Sequence, residues 1–439
     1  MTASDGGTRG WRDALRVYRD RRIFVIFLMG FSSGLPLLLT LSTLSYWLAK
    51  VGVDKTAIGL FALVGVPYSL KFVWAPVIDQ VSLPVLTRLF GRRRGWALVT
   101  QAGLIVAILA MGTSDPAAAP WATAAAALAV AFFSASQDIV VDAYRIDVLA
   151  DAEQGAGAAA TQTGYRVGLL AAGAGAIALS DFVAWFWIFA ALAALVGVGI
   201  VAVLLAPEPP PPPRPVLAPG LDRLGVLREH FRRAVVAPFA DFMTRRGWIV
   251  ILGFVLLYKF GDAIGGVMAN PFYVELGFTG VEIASVSKVF GVLATLAGIL
   301  AGGVVVARYG IFPALVIGGV LQAATNLLFA VQAVLGHDIA MLTLCIGADN
   351  FTGGLGSAAF VAYLSSLCNV AFTATQYALL TSLMAVGRTV LSSGGGWLAD
   401  QVDWVSFFVL TTGLAVPGLL LLISLIRLYP ARPAPVPAQ

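Results

Sequence analysis

Apolar stretches of twenty residues or more return along the whole chain, separated by short polar turns. One of them, 182–206, carries no charge after Asp181. A stretch of about 20 apolar residues is what an α-helix needs to cross the hydrocarbon core of a bilayer. Lipid offers the backbone no hydrogen-bond partners, so such crossings are helical. Of the 439 residues 59% are hydrophobic and 12% charged. Soluble domains have roughly 45–50% and about 25%. A soluble enzyme, a disulfide-rich secreted module and a disordered chain are thereby excluded. The reading is an all-α membrane protein with twelve transmembrane helices. Spans are predicted at 23–48, 56–79, 95–113, 120–147, 157–179, 182–206, 247–274, 281–306, 311–335, 338–367, 374–399 and 404–426.

Positive charge orients these spans. Of the 28 Lys and Arg residues, 21 fall in segments on the N-terminal side of the bilayer, while Lys50 and Lys55 alone fall on the other side. That asymmetry puts both termini in the cytoplasm. It also makes the net charge of +5 a matter of topology rather than of nucleic-acid binding, and the bilayer is an expected partner. The expected organisation is a cytoplasmic segment 1–22, a six-helix bundle 23–206, a linker 207–246, a second six-helix bundle 247–426 and a cytoplasmic tail 427–439. The linker opens as a proline-rich, semi-rigid spacer. Leu221, Leu224, Leu227, Phe231 and Val235 then recur at helical spacing among arginines, as in a helix lying on the membrane surface. No signal peptide is expected at residues 1–22.

The two bundles echo each other. Gly164-Tyr165-Arg166 in span 5 answers Gly387-Arg388 in span 11, and Lys50-Val51-Gly52-Val53 after span 1 answers Glu275-Leu276-Gly277-Phe278 after span 7. Spans 3, 6, 9 and 12 lack charge and can face lipid, although Gln322 and Asn326 make span 9 less apolar. Span 1 is also uncharged, but its serines and threonines suit a wet path. Most of the others carry charges, which belong in a cavity or bundle interior because lipid exposure costs several kcal/mol. Two parallel, pseudo-symmetric six-helix bundles around a central path fit this pattern.

The deep cations are Lys71, Arg166, Lys259, Lys288 and Arg388, and the deep carboxylates Asp138, Asp142, Asp262 and Asp349. The slightly positive balance favours an anionic or zwitterionic cargo. Lys259 and Asp262 share a helix face at i, i+3, about 18 and 22 Å from the inner end at 1.5 Å per residue. They fit either a structural ion pair or a substrate and proton site. Lys71, with Tyr68 one turn before it, has no acid beside it in its own span, which suits an anionic cargo. Asp138 is the first candidate for proton coupling, because a desolvated carboxylate can exchange a proton during transport. Asp262 and Asp349 are the other candidates. Asp142, Arg145 and Asp147, near the inner end, are expected to pair with Arg92, Arg93 and Arg94 in a gate that also includes Asp79. The glycines after Asp349-Asn350 allow either close packing or local unwinding. Arg166, Lys288 and Arg388 can bind a cargo carboxylate or pair with Asp138, Asp262 or Asp349.

Absences narrow the chemistry. The only histidines are His230 and His337; there is no metal-ligand cluster and no phosphate-binding loop. Cys345 and Cys368 lie about 34 Å apart along one predicted helix, too far to pair within the chain. No cofactor, no metal, no enzyme activity and no nucleic-acid partner are expected, which leaves secondary transport by a monomer.

Several motifs together are similar to those of AmpG-type muropeptide permeases in the major facilitator superfamily. They are Gly30-Phe31-Ser32-Ser33-Gly34-Leu35-Pro36, Lys71-Phe72-Val73-Trp74-Ala75-Pro76-Val77-Ile78-Asp79, Gly91-Arg92-Arg93-Arg94-Gly95-Trp96, Ser134-Ala135-Ser136-Gln137-Asp138-Ile139-Val140, Glu153-Gln154-Gly155-Ala156-Gly157-Ala158, Ala234-Val235-Val236-Ala237-Pro238 and Tyr258-Lys259-Phe260-Gly261-Asp262-Ala263. The resemblance spans roughly residues 22–425. It departs in the polyproline linker and at Asp349, where relatives often carry Glu. It implies a proton-driven importer, in the bacterial inner membrane, of disaccharide peptides ending in 1,6-anhydro-N-acetylmuramic acid, serving cell-wall recycling and influencing inducible beta-lactam resistance. Gly34, Tyr68, Lys71, Gln137, Arg166, Lys259, Asn350 and Arg388 are then the expected cargo-binding residues. Two rivals stand beside it: a carrier of another bulky anion such as acetyl-coenzyme A or a peptide, and a non-transporting membrane sensor.

Overall fold

The computed structural model describes residues 16–53, 61–211, 229 and 232–429. The described residues are helical with no strand. Twelve segments follow in order: α1 (Arg21–Lys50), α2 (62–80), α3 (Arg92–Thr113), α4 (Pro120–Val148), α5 (154–179), α6 (Trp185–Leu205), α7 (Trp248–Glu275), α8 (Gly280–Tyr309), α9 (Ile311–Leu335), α10 (Ile339–Ser366), α11 (Thr373–Ser392) and α12 (Trp404–Leu428). Among the described residues eight of these (α1, α3, α4, α6, α7, α8, α9, α12) are both long and apolar enough to cross a membrane. The other four are broken or more polar. The predicted surface helix at 221–235 falls almost wholly outside the described residues, as do Lys55 and the Lys288 side chain.

Helix starts follow local chemistry. Asp20 caps α1, its carboxylate accepting from the Arg22 N–H at 2.7 Å. Asp338 caps α10 and Asp403 caps α12 in the same way, each satisfying an orphan donor of a first turn. Thr279 and Glu282 form a capping box on α8.

Two helix interruptions fall where predicted charges lie. The turn Lys71–Val73 in α2 is 3-10, and α7 breaks between Leu257 and Phe260, at Tyr258-Lys259. Proline stands inside α1 at Pro36 and inside α7 at Pro271. In contrast α10 runs unbroken from Ile339 to Ser366, so its glycines serve close packing rather than unwinding. A Cβ on Gly354 would press on the Thr295 carbonyl of α8, and one on Gly298 would press on the Phe351 carbonyl of α10. The α1–α5 crossing uses the same device, with Gly30 and Gly34 against the backbone of Thr161 and Tyr165, and Gly164 and Gly168 against that of Phe27 and Phe31.

Two apolar clusters lie mainly among α1–α6 and two mainly among α7–α12. The helices of the four uncharged spans, whose arginines lie only at the ends, turn bulky apolar side chains outward: Val106 on α3, Trp187 on α6, Val334 on α9 and Leu420 on α12. This is the surface lipid requires. Gln322 and Asn326 of α9 are nevertheless buried, because α9 packs on α10 and α12 and turns this polar face inward.

Candidate functional site

The halves touch at one end, where the start of α1, the end of α12 and the start of the linker also lie. Arg93, at the start of α3, is buried and bridges Asp79 at 3.0 Å and Asp147 at 2.8 Å. Asp79, at the end of α2, accepts hydrogen bonds from the Ala374 N–H (3.2 Å), the Thr375 N–H (2.7 Å) and the Thr375 hydroxyl (2.7 Å). A carboxylate from the first half thus caps the positive end of α11 in the second, which is favoured by both the orphan donors and the helix dipole. The Thr373 hydroxyl donates to Asp147 at 2.7 Å. Arg145 donates to the Ser365 hydroxyl at 2.8 Å and lies over the Tyr377 ring. The Tyr18 hydroxyl reaches the Leu300 carbonyl of α8 at 3.3 Å.

The hydrogen bonds named above between the first half and the second all belong to this closed end. Toward the opposite end Leu63 of α2 and Val386 and Val390 of α11 are exposed. The bonded contacts between the halves thus close one end.

The expected pairing of Asp142, Arg145 and Asp147 with Arg92, Arg93 and Arg94 needs correction. Among the described residues only Arg93–Asp147 is such a pair. Asp142 pairs instead with Arg145 at 3.6 Å, one turn along its own helix. Arg92 donates to the Asp79 backbone carbonyl, and Arg94 donates to the carbonyls of Val203 and Leu204. Glu208, the second residue after α6's last turn ends at Ala206, accepts from the Arg93 and Arg94 N–H groups at 2.9 and 3.1 Å and so caps α3. Asp241, in a short helix Ala237–Met243, accepts from Asn369 and Gln376, each at 2.8 Å. Sequence reasoning missed Tyr18, Glu208, Asp241, Ser365, Thr373 and Thr375. Thr373-Ala374-Thr375 opening a helix was the one local signal for a capped terminus.

Midway along the path each half holds one lysine among carboxylates. In the first half Lys71 is buried and within Coulomb range of Asp138 and Asp142, without an ion pair inside 4 Å. Asp138 accepts from the Ser33 hydroxyl of α1. Tyr68 lies beside Thr40 and Ser134. Gln137 is fully buried and donates to Ser32 at 3.1 Å, and Gly34 is pressed against α5. Both sit behind the path in this conformation. In the second half Lys259 donates to Gln322 and stands 3.6 Å from Asp262. Asp349 lies within range of Lys259 and accepts from Thr325 at 3.4 Å. Asn350 accepts from Thr295 at 2.8 Å. Arg166 and Arg388 are exposed and have no ion pair among the described residues. Asp138, Asp262 and Asp349 are therefore engaged by lysines and hydroxyls, and Asp142 by Arg145, not by Arg166 or Arg388. Cys345 is buried in α10 and Cys368 stands just beyond its end, both as free thiols.

Two helical halves that meet at one end, with charged side chains between them, define the architecture of a membrane carrier. The profile of the Major Facilitator Superfamily matches residues 23–260. Known structures agree in fold: a bacterial homologue of the iron transporter ferroportin in an outward-facing state has a TM-score of 0.67 at 15% identity, covering 92% of this chain and 99% of that one. The proton:xylose symporter XylE has a TM-score of 0.63 at 13% identity, with 95% and 96% covered. The chain belongs to the major facilitator superfamily, and within it to the AmpG-type permeases. It is 41% identical to the anhydromuropeptide permease of Escherichia coli K12, over 93% of this chain and 80% of that protein. It is 34% identical to the putative transporter AmpG 4 of Rickettsia felis, over 93% and 98%.

Proposed function

We propose that this transporter imports anhydromuropeptides across the bacterial inner membrane, coupled to protons, with both termini in the cytoplasm. The 41% identity to the Escherichia coli permease is the observation that carries the cargo assignment. With the arginine-rich end facing the cytoplasm, as the charge asymmetry requires, the closed end is the inner gate and the open end receives cargo from outside.

Cargo enters the open path and meets Lys71, Lys259 and Asn350 near its middle, with Tyr68 beside them. Gln137 and Gly34 shape the wall behind. Asp138, Asp262 and Asp349 carry the transported proton. Protonating a carboxylate beside Lys71 or Lys259 releases that lysine for an anionic group of the cargo. The halves then rock: the outer end shuts, Asp79 and Asp147 leave α11, Asp142–Arg145 parts from Ser365, and cargo leaves inward.

Uptake of labelled anhydromuropeptide into proteoliposomes tests the reading. An inward proton gradient should accelerate uptake, and a protonophore should abolish that acceleration. Equal uptake with and without the protonophore removes the coupling. No counterflow of any anhydromuropeptide removes the cargo.

A further inference from the structure

Lys259 stands where α7 breaks, with backbone angles outside the helix (φ −107°, ψ 16°), so helix register does not fix its side chain. The break is held by α9. The Tyr258 hydroxyl donates to the Leu315 carbonyl at 2.8 Å, and the Lys259 ammonium donates to the Gln322 side-chain oxygen. Gly319, between these two contacts, makes room for the Tyr258 ring, since a Cβ there would come within 3.1 Å of it. Positions 315, 319 and 322 fall on one face of a helix. The far side of the bridge is α10. A Cβ on Gly356 would stand 3.3 Å from both the Gln322 oxygen and the Lys259 nitrogen, and one on Gly353 would stand 3.1 Å from the Gln322 amide nitrogen. The lysine and the amide meet because α10 has no side chain at these two places. Gln322 is buried, whereas Lys259 keeps 20% of its side chain exposed.

The neighbouring carboxylates are kept at a distance. Asp262 stands 3.6 Å from the ammonium, beyond direct hydrogen-bond range. The Thr325 hydroxyl, 3.4 Å from Asp349, ties the second carboxylate to α9. We propose that Gln322 is a positioning residue, which holds the Lys259 ammonium out of direct contact with Asp262 and Asp349 and presents it to an acidic group of the cargo. An ammonium has three protons to donate. The amide takes one of them but, being uncharged, leaves the positive charge available to an anion. Without Gln322 the ammonium closes on Asp262, and a cargo carboxylate must then displace a charge-assisted hydrogen bond as strong as the one it forms. When Asp262 takes up the transported proton, Lys259 already has an uncharged partner and stays in place. The role deepens the transport reading and rests on it for the nature of the cargo: it makes the acidic peptide groups, not the sugars, the part that Lys259 selects.

The test has two arms, both on the full chain. In the first, a cryo-electron-microscopy structure of Gln322→Leu without cargo should show the Lys259–Asp262 separation shortened from 3.6 Å to about 2.8 Å. An unchanged separation overturns the proposal. In the second, equilibrium binding of a radiolabelled anhydromuropeptide with free peptide carboxylates is compared with that of its fully amidated form. Gln322→Leu should bind the acid about tenfold more weakly, as for one lost hydrogen bond to a charged group, and the amidated form within about twofold of the unsubstituted protein. Adding Asp262→Asn removes the competing carboxylate and should restore the acid's affinity to within about threefold, a recovery that damage to packing would not allow. Equal losses for both forms, or no recovery in the double variant, overturn the proposal. Gln322→Glu, of the same shape, decides the matter if the Leu variant does not fold. Its carboxylate pairs with the ammonium outright, so acid affinity should fall by about tenfold or more, and Asp262→Asn should not restore it. Undiminished affinity there overturns the proposal. A shortened first-arm separation, with neither fragment bound by the unsubstituted protein, overturns the cargo assignment and leaves the positioning role standing for another anion.

Discussion

Asp79 holds the closed end together more than any other single side chain, and replacing it with Asn should open that end. Its carboxylate accepts three hydrogen bonds from the first turn of α11 and pairs with buried Arg93. Hydrogen bonds to a charged group contribute about 1.5–3 kcal/mol each. The Arg93 pair lies within the first half and survives opening, with Asp147 still on Arg93, so only the bonds to α11 bear on the closed conformation. Asn keeps the shape and one accepting oxygen, and loss or weakening of the charged bonds to α11 amounts to about 3 kcal/mol. Because those bonds exist only while the halves meet here, the loss falls on the closed conformation and shifts the equilibrium by about 150-fold. Cys368 reports this directly. It is half-buried just after α10, its thiol donating to the Leu364 carbonyl at 3.4 Å, next to Asn369, which Asp241 holds. In a Cys345→Ala background, Asp79→Asn should raise the rate of maleimide labelling at Cys368 by up to about 100-fold. Thr375→Ala, which removes a single hydroxyl donor to that carboxylate worth about 1.5 kcal/mol at the low end, should raise it by about tenfold. A folded Asp79→Asn protein that labels no faster than its parent refutes the reasoning.

Glu208→Ala strips α3 of its cap and should weaken the same end by about 1–2 kcal/mol, read as a labelling rate between those of the parent and Asp79→Asn. Lys71→Ala should lower the affinity for anhydromuropeptide at least tenfold, about 1.4 kcal/mol, in a scintillation-proximity assay, while Lys50→Ala, which breaks exposed contacts with Asp181 (2.7 Å), Ser180 and Tyr46, should leave it within twofold. Asp20→Ala should lower thermal stability by about 1 kcal/mol through loss of the α1 cap. Hydrogen bonds from the Arg22 side chain hold the Asp20 carboxyl below its ordinary range. A depressed carboxylate stabilises above the unfolded-state value and loses that effect as pH falls through the folded one, so the melting gap between parent and variant should narrow in acid. Gly298→Val should prevent a monodisperse product on size exclusion, since no side chain fits against the Phe351 carbonyl.

The helical class, the membrane and the charged interior were legible because each follows from one-dimensional facts: the length of an apolar stretch and the expense of burying charge in lipid. Lys71, Asp138, Lys259, Asp262 and Asp349 could be picked out by depth alone. Their partners could not. Gln322 sits in a helix that reads as peripheral, yet it takes the Lys259 ammonium, because helix rotation is set by packing against α10 and α12. Likewise Arg92, Arg93 and Arg94 look interchangeable in sequence, but successive helical residues point about 100° apart. Only Arg93 faces the carboxylates, and its neighbours reach backbone carbonyls.

The same limit explains the closed end. Its decisive contacts join residues nearly three hundred positions apart, as in Asp79 with Thr375, and half the bond is backbone, which has no signature in sequence. An acid at the end of α2 and threonines at the start of α11 acquire meaning only when the halves meet. That arrangement also suits a carrier. A cap between halves is made of hydrogen bonds that water can replace once the end opens, so this part of the closed state is held reversibly, beside the small apolar contacts of Ala159 with Ile299 and Ala358. The burial of Arg93 between Asp79 and Asp147, all in the first half, adds the opposite property: an end only partly opened strips these charges of their α11 donors without yet hydrating them, which is costly. The two together favour an end that is either fully shut or fully hydrated, and a rocking carrier needs that two-state behaviour to avoid leaking.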